Sequence, residues 1–423
     1  MQKYTGKNRS IRYLLALTLA LSALATAPAH AAAATIYVAP TGSVGTGASC
    51  ASPGFVGGSS IATAVAAAVD GDTVILCNGT FSVTSQVFID EKEITVSGES
   101  SAQNTIINGA GSTTGIFKII SKKNVTIQNL TFFRGNNAQS GGAIYLSMRS
   151  SQSLSSTRHS ISNNVFAQNH AGGQGGAISG VGDDMGSGNF QGILTISNNT
   201  FVENKADVDG GAIDMGAVTF DPTRVVVQSN KFLYNRAIGR AGGAIVSNFS
   251  YLTSVSNIFY LNTTGDGGNA QTLYGGMTLS GDILMNDLSS GRKDCLLSNL
   301  NPTVVAESFT DNPYCHDFDN NQSTGDLKTI TRAEGLALAG NLIPQSPLVS
   351  SHSASLNSVT LTLATRGTGS SAITQYSYSL NGGEFLNFPA GGSQTQSITG
   401  LASATSYQVR LKATNTAGTS YES

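Results

Sequence analysis

The chain reads as all-β: a parallel β-helix closed at its N-terminal end by a short helix, followed by a small β-sandwich. Three observations predict this. The letters GGAI open at residues 141, 175, 210 and 242, so successive copies start 34, 35 and 32 residues apart. An F-x-x-N signature precedes each glycine pair, as FRGN, FAQN, FVEN and FLYN, and a fifth, FYLN, leads to a degenerate GGNA at residue 267. The apolar segments between them are short and β-branched, as in TVILC, EITV, FKII, VTIQ and RVVV, and none carries a helical period. A fixed period of this length marks stacked repeats. Short strands separated by tight turns make each repeat one coil of a β-solenoid. A leucine-rich solenoid is the runner-up, but its LxxLxL skeleton is missing.

Residues 1–31 read as a signal peptide. Lys3, Lys7, Arg9 and Arg12 form its basic region, LLALTLALSALATA its apolar core, and Ala29-His30-Ala31 after Pro28 its cleavage signal. The apolar run is shorter than the ~20 residues that cross a bilayer, so cleavage is expected rather than anchoring. Export makes Cys50, Cys77, Cys295 and Cys315 disulfide candidates. Cys50–Cys77 and Cys295–Cys315 are the sequence-local pairs, but four cysteines allow three connectivities and spacing does not choose among them. No CxxC or HxxxH spacing points to a metal.

The cap comes next. In residues 59–81, Ile61, Val65 and Val69 recur on one helical face, with Ser59 or Ser60 as N-cap and Gly71 as the stop. Such a helix covers the open end that a solenoid would otherwise expose.

The β-helix spans residues 35–340. Within each coil the glycines turn the backbone sharply, and the alanine fits a narrow corner. Ile144, Ile178, Ile213 and Ile245 are expected to stack inward as one ladder. Phe133, Phe166, Phe201, Phe232 and Phe259 are expected to form a second ladder. Asn169, Asn204 and Asn235 are expected to form a third, satisfying turn amides along the stack. The surplus over a minimal coil falls at residues 147–160 and 179–192, which predicts loops on one side, the usual binding face.

From residue 343 the composition turns Ser/Thr-rich and alternates with period two, after IPQSP. Residues 341–347 read as a linker and 348–423 as the sandwich.

Here the residues carry family resemblances. The run of helix, GDTV and NGTF resembles the start of right-handed parallel β-helices of the pectate-lyase-like superfamily. The paired GGAI and FxxN motifs resemble the repeats of polymorphic outer-membrane proteins, and residues 294–315 are similar to the closing segment of surface β-helices with a choice-of-anchor region. The C-terminal module resembles a fibronectin type III domain, with Tyr407 placed for the tyrosine corner. It departs from that pattern at Leu363, where such domains usually carry Trp, and in a short last strand before Ser423. These resemblances imply an exported bacterial surface protein and no particular chemistry.

Composition agrees with that implication. Charged residues are 11% of the chain and the net charge is −2, against roughly 25% charged residues in an average soluble protein. This leaves no field for drawing in nucleic acid. Trp is absent, so sugar stacking would fall to Tyr or Phe. Uronate lyases need clustered carboxylates for a metal plus a base, and glycoside hydrolases need a spaced carboxylate pair. The one adjacent pair, Asp183-Asp184, lies in a Gly-rich loop with no basic motif beside it. Asp207, Asp209 and Asp214 form a weak Ca²⁺ candidate at a turn, as do Asp317, Asp319 and Asn321, and His159 and His170 read as loop residues. No catalytic residue, metal or cofactor is therefore expected. The reading is a secreted or surface-attached protein, outer-membrane association included, with a non-enzymatic role in adhesion. Its partners would be surface molecules or polysaccharide. The alternative is a carbohydrate-active enzyme or polysaccharide binder.

Overall fold

The computed structural model describes residues 32–423 apart from 122, 149–156, 183–192, 217–223, 240, 266–271, 286–294, 298–304, 309–314, 318–326, 330 and 365–366. Four parallel ladders run along the solenoid. The first stacks Thr35–Ala39, Thr73–Leu76, Ile94–Gly98, Val125–Gln128, Arg158–Ser162, Ile193–Ser197 and Arg224–Gln228. The phenylalanine ladder includes Thr131–Phe133, Val165–Ala167, Thr200–Val202, Lys231–Leu233 and Ile258–Tyr260. A short ladder follows the next corner, through Asn136–Asn137, His170–Ala171, Lys205–Ala206, Arg236–Ala237 and Thr263–Thr264. The isoleucine ladder closes each coil, through Val87–Asp90, Phe117–Ile120, Ile144–Met148, Ile178–Gly182, Ile213–Met215 and Ile245–Val255. Parallel pairing in every ladder is what makes the sheets one continuous β-helix.

The core is built by the expected stacks. Ile144, Ile178, Ile213 and Ile245 pair in register and are fully buried, as are Ala143, Ala177, Ala212 and Ala244 beside them. Phe166, Phe201, Phe232 and Phe259 stack face to face with centroids 4.7–4.9 Å apart. The first member of that stack is Phe132, not Phe133: Phe132 pairs with Phe166 and lies 4.9 Å from it. Phe133 pairs with Ala167 and points outward, where Tyr421 stacks on it. The letters FRGN match the signature one residue out of phase, and a one-residue slip sends a side chain to the other face. His159 is a second correction. It sits in a strand, pairs with Leu194 in the first ladder and is buried. Burial pushes its imidazole down to about 4, against a hydrogen bond at Ser121 that acts upward.

Two asparagine ladders hold the corners. At the corner after the phenylalanine ladder, the Asn169 N–H and Nδ2 donate to Asn204 Oδ1 at 3.0 and 2.9 Å. Asn204 repeats this to Asn235, and Asn235 to Asn262. The residue before this corner position adopts positive φ in five successive coils: Arg134 52°, Gln168 53°, Glu203 54°, Tyr234 57° and Leu261 49°. Such residues rarely hold this conformation; a buried asparagine follows the last four, and after Arg134 the Gly135 N–H donates to Asn169 Oδ1. A second ladder, Asn164–Asn199–Asn230–Asn257, lies between the first and phenylalanine ladders. It ends in Asp282, whose Oδ1 accepts from the Asn257 N–H, Asn257 Nδ2 and Ser254 Oγ.

That ending predicts a pH dependence. Burial pushes the Asp282 carboxyl up to about 6, and the hydrogen bonds from Asn257, Ser254 and Ser280 only partly offset it. The folded state therefore holds the proton more tightly than the unfolded chain. Its contribution is fully present below about pH 4 and is lost as the pH rises through about 6. Asp282→Asn supplies the neutral amide of the other rungs. It is expected to raise the melting temperature by a few degrees at about pH 7 and to flatten the loss between about pH 4 and 6. Thermal melts of both proteins across that range are the check, and parallel curves would refute it.

The cap forms as Ser60–Ala67, with Ile61, Ala64 and Val65 buried. Val69 does not join that face: the helix stops at Ala67, Ala68 is extended, and Val69 is 58% exposed. Lys92 Nζ donates to the carbonyls of Val65, Ala66 and Ala68, which satisfies the helix end with a cation. Cys50 and Cys77 are disulfide-bonded and tie the N-terminal segment to the first coil. The loop closed by this bond spans 27 residues. Chain entropy gives it about 3 kcal/mol, so Cys50→Ser with Cys77→Ser is expected to lower the unfolding free energy by about that amount. Denaturant curves measure the loss, and recovery of both residues as free thiols from the native protein would contradict the bond. For the other pair, the backbone places Cys295 opposite Cys315 in adjacent parallel strands. Their side chains lie outside the described residues.

The C-terminal region forms two antiparallel sheets. One pairs Ser358–Ala364 with Leu348–Ala354 and Thr395–Thr399; the other pairs Gln375–Leu380 with Leu386–Asn387 and Val409–Asn415. Leu361, Leu363, Tyr376, Phe388, Ile398, Leu411 and Ala413 form its core, so Leu363 fills its place as a buried aliphatic residue. Tyr407 Oη accepts from the Ala402 N–H at 2.9 Å, a corner bond of the expected kind. Residues 341–347 pack on the solenoid. Leu342 is fully buried, Tyr234 Oη donates to the Ile343 carbonyl, and Ser346 Oγ donates to Glu203. Arg134 meets Glu422 at 2.9 Å. The row of positive-φ corner residues is thus also the seat of the C-terminal region.

Candidate functional site

The outer face of the isoleucine ladder is the place where polar groups collect. The residue after each inward ladder residue faces outward by strand alternation. In register these are Phe88, Lys118, Tyr145, Ser179, Asp214, Val246 and Tyr274. Each GGAI turn folds back beside this row, because its first glycine takes positive φ: 73° at Gly141, 65° at Gly175, 66° at Gly210 and 59° at Gly242.

At the N-terminal end the row is open. Gln86, Thr113, Thr114, Asn137 and Gln139 join Lys118 and Tyr145 around a hollow of about 390 Å³. Lys118 Nζ lies 5.6 Å from the centre of the Tyr145 ring, and Phe88 on the other side of Lys118 is 46% exposed. Asn137 Nδ2 donates to the Ser140 carbonyl at 2.6 Å, which fixes one amide of the wall. The hollow therefore offers one aromatic face, one cation and several amide and hydroxyl groups, with Phe88 next along the row. Lys118 is the only charged side chain among its described lining residues.

One rung past Tyr145 the row becomes buried. Ser179 and Asp214 are fully buried, and neither Ser179 Oγ nor either Asp214 carboxylate oxygen has a hydrogen-bond partner among the described residues. Burial pushes the Asp214 carboxyl up to about 8, with the charge of Asp209 adding to the shift. Of the aspartates grouped by sequence, Asp209 lies near Asp214 and accepts from the Ala241 N–H at 2.9 Å. Asp207 turns away to the surface, meeting His170 and Lys205 at 3.1 Å each. Desolvation acts upward on its carboxyl, but these two partners outweigh it and lower its pKa. His170 is a short-ladder residue, its Nδ1 3.1 Å from Asn136 Oδ1. Asp183 and Asp184 lie outside the described residues, as do Asp319 and Asn321 and most of the two surplus loops.

The stacked residues singled out from sequence are thus structural, and the outward row was missed. Its signal was present in the alternation, in the letter following each ladder residue.

No family model and no curated protein matches the chain. Among solved structures, the PL6 family alginate lyase AlyGC is 16% identical over 70% of this chain and 39% of its own, with a TM-score of 0.34. Pectate lyase Pel9A is 14% identical over 71% of this chain and 82% of its own, at 0.27. A crystal structure of titin domains is 26% identical over 24% of this chain and 33% of its own, at 0.17. The chain thus spans well under half the length of the titin and alginate lyase structures it matches.

Proposed function

We propose that this is an exported surface-interaction protein that holds a glycan in the hollow beside Lys118 and Tyr145 without cleaving it. One observation carries the reading: Lys118 and Tyr145 stand side by side in the lining of a concave pocket walled by amides and hydroxyls, with the exposed Phe88 next along the row. Aromatic faces take the apolar side of a sugar ring, amides and hydroxyls take its hydroxyls, and the ammonium attracts a uronate carboxylate. Coils repeat about 4.8 Å apart, close to one sugar ring along a chain. The signal-peptide reading of residues 1–31 and the resemblance of the repeats to those of surface proteins support binding outside the cell, on neighbouring-cell or host polysaccharide. Cleavage of a uronate needs a group to neutralise the carboxylate together with a separate base; among the described lining residues Lys118 is the one charged side chain and Tyr145 the one other titratable group.

The test is binding of the mature chain to an array of neutral and uronate oligosaccharides. Affinity for at least one class is expected, with a loss of about tenfold or more in Tyr145→Ala and Lys118→Ala at unchanged melting temperature. No binding to any class, or binding indifferent to both substitutions, would overturn the site. Growth of ultraviolet absorbance from unsaturated uronate above a heat-killed control would replace it with the enzyme reading.

A further inference from the structure

The buried half of the outward row is not accounted for by glycan binding. Ser179 and Asp214 stand opposite one another in adjacent strands, about 4.8 Å apart at the backbone, with both side chains on the same face. Both residues are fully buried. The Ser179 hydroxyl and both Asp214 oxygens have no hydrogen-bond partner among the described residues. A single orphaned polar group is uncommon in a folded interior, and two side by side mark a place built for something else to bind. The turn at Gly210 closes over them: a Cβ there would lie 3.0 Å from Asp214 Cβ. Asp209, just before that turn, keeps one carboxylate oxygen on the Ala241 N–H and adds its charge to the same spot.

We infer that Ser179, Asp214 and Asp209 form a site for a hard divalent cation of calcium size, held by oxygen ligands on the outer face of the isoleucine ladder. All three groups offer oxygen and none offers nitrogen or sulfur, which is the donor set such cations prefer. A dipositive ion supplies the missing partner to both orphaned side chains at once. It also takes the place of the proton that burial keeps on Asp214 and offsets the charge of Asp209 beside it. A bound water could serve the serine but carries no charge to offset an ionised Asp214. The inference does not depend on the glycan reading, because the hollow at Lys118 lies in other coils.

The experiment uses the whole mature protein, stripped with chelator and melted with and without millimolar Ca²⁺. The expected result is a rise of about 3–6 °C in wild type, absent in Asp214→Asn and smaller in Ser179→Ala. Tb³⁺ serves as a second probe that does not rely on stability. Tyr145 and Tyr274 each lie two rungs from Asp214, about 10 Å away at the backbone, and should sensitise its emission. That emission is expected to saturate in wild type, to be displaced by Ca²⁺, and to be lost in Asp214→Asn. A wild-type melt indifferent to Ca²⁺, an equal rise in Asp214→Asn, or terbium emission unchanged by that substitution would each overturn the site.

Discussion

Gly211→Val is expected to lower the melting temperature by about 10 °C or more, corresponding to a loss of about 4 kcal/mol. The cause is close packing between coils. A Cβ at Gly211 would lie 2.1 Å from the Gly243 carbonyl oxygen and 2.5 Å from the Arg236 carbonyl carbon. Both are backbone atoms of the next coil, so no rotamer change relieves the overlap. The Gly211 N–H also donates to the Gly242 carbonyl at 3.0 Å, and displacing the strand breaks that bond. Positive φ is not the reason here, since that conformation belongs to the neighbouring Gly210. The distinction is testable. Gly211→Ala already places the offending atom and is expected to cost several degrees. Gly382→Ala, at φ 78° with nothing within 4 Å of the added atom, costs only its backbone strain of about 1 kcal/mol. Equal melting temperatures for the two alanine variants would sink the packing argument.

The second large effect is expected at Asn204. Its Oδ1 accepts from the Asn169 N–H and Nδ2, its Nδ2 donates to the Phe166 carbonyl and Asn235 Oδ1, and all of these groups are buried. Asn204→Leu strands two donors and a carbonyl at once. Each buried group left without a partner costs about 1–3 kcal/mol, so a total near 4 kcal/mol is expected. The Glu203 corner, held at φ 54° beside it, loses its support in the same step. Because the rungs share bonds, the effects are expected to be non-additive. The double variant Asn169→Ala/Asn204→Ala should cost less than the sum of its single changes. Denaturant melts give all three values. A loss below about 1 kcal/mol for Asn204→Leu would show that the ladder is decoration on a core that stands without it.

Much of this was legible in the residues. The recurrence of GGAI and FxxN specifies coil length, and the β-branched runs specify strands, because both are local properties of chain and side chain. From these follow the isoleucine stack, four of the five stacked phenylalanines, and the corner asparagines. The helix also follows, since it joins residues close in sequence, whereas Cys50–Cys77 was one of the pairings that spacing left open and the structure forms it. Identity alone misled at Phe133, where two adjacent phenylalanines offered two registers. Only the pairing of Phe132 with Phe166, one coil away, selects between them.

What the tertiary structure decided is what lies one coil above and below each residue, about thirty positions away in the chain. His159 looks like a loop residue until Leu194 is placed beside it inside the core. Asp282 looks like any surface aspartate until it is found closing a ladder of buried amides. Lys118 and Tyr145 belong to different repeats and become one site only by stacking. The physical reason is the same in each case. Whether a polar side chain is a ligand, a rung or an exposed group depends on its hydrogen-bond partners and its burial. In a solenoid both are set by neighbours that strand pairing, not sequence order, brings together.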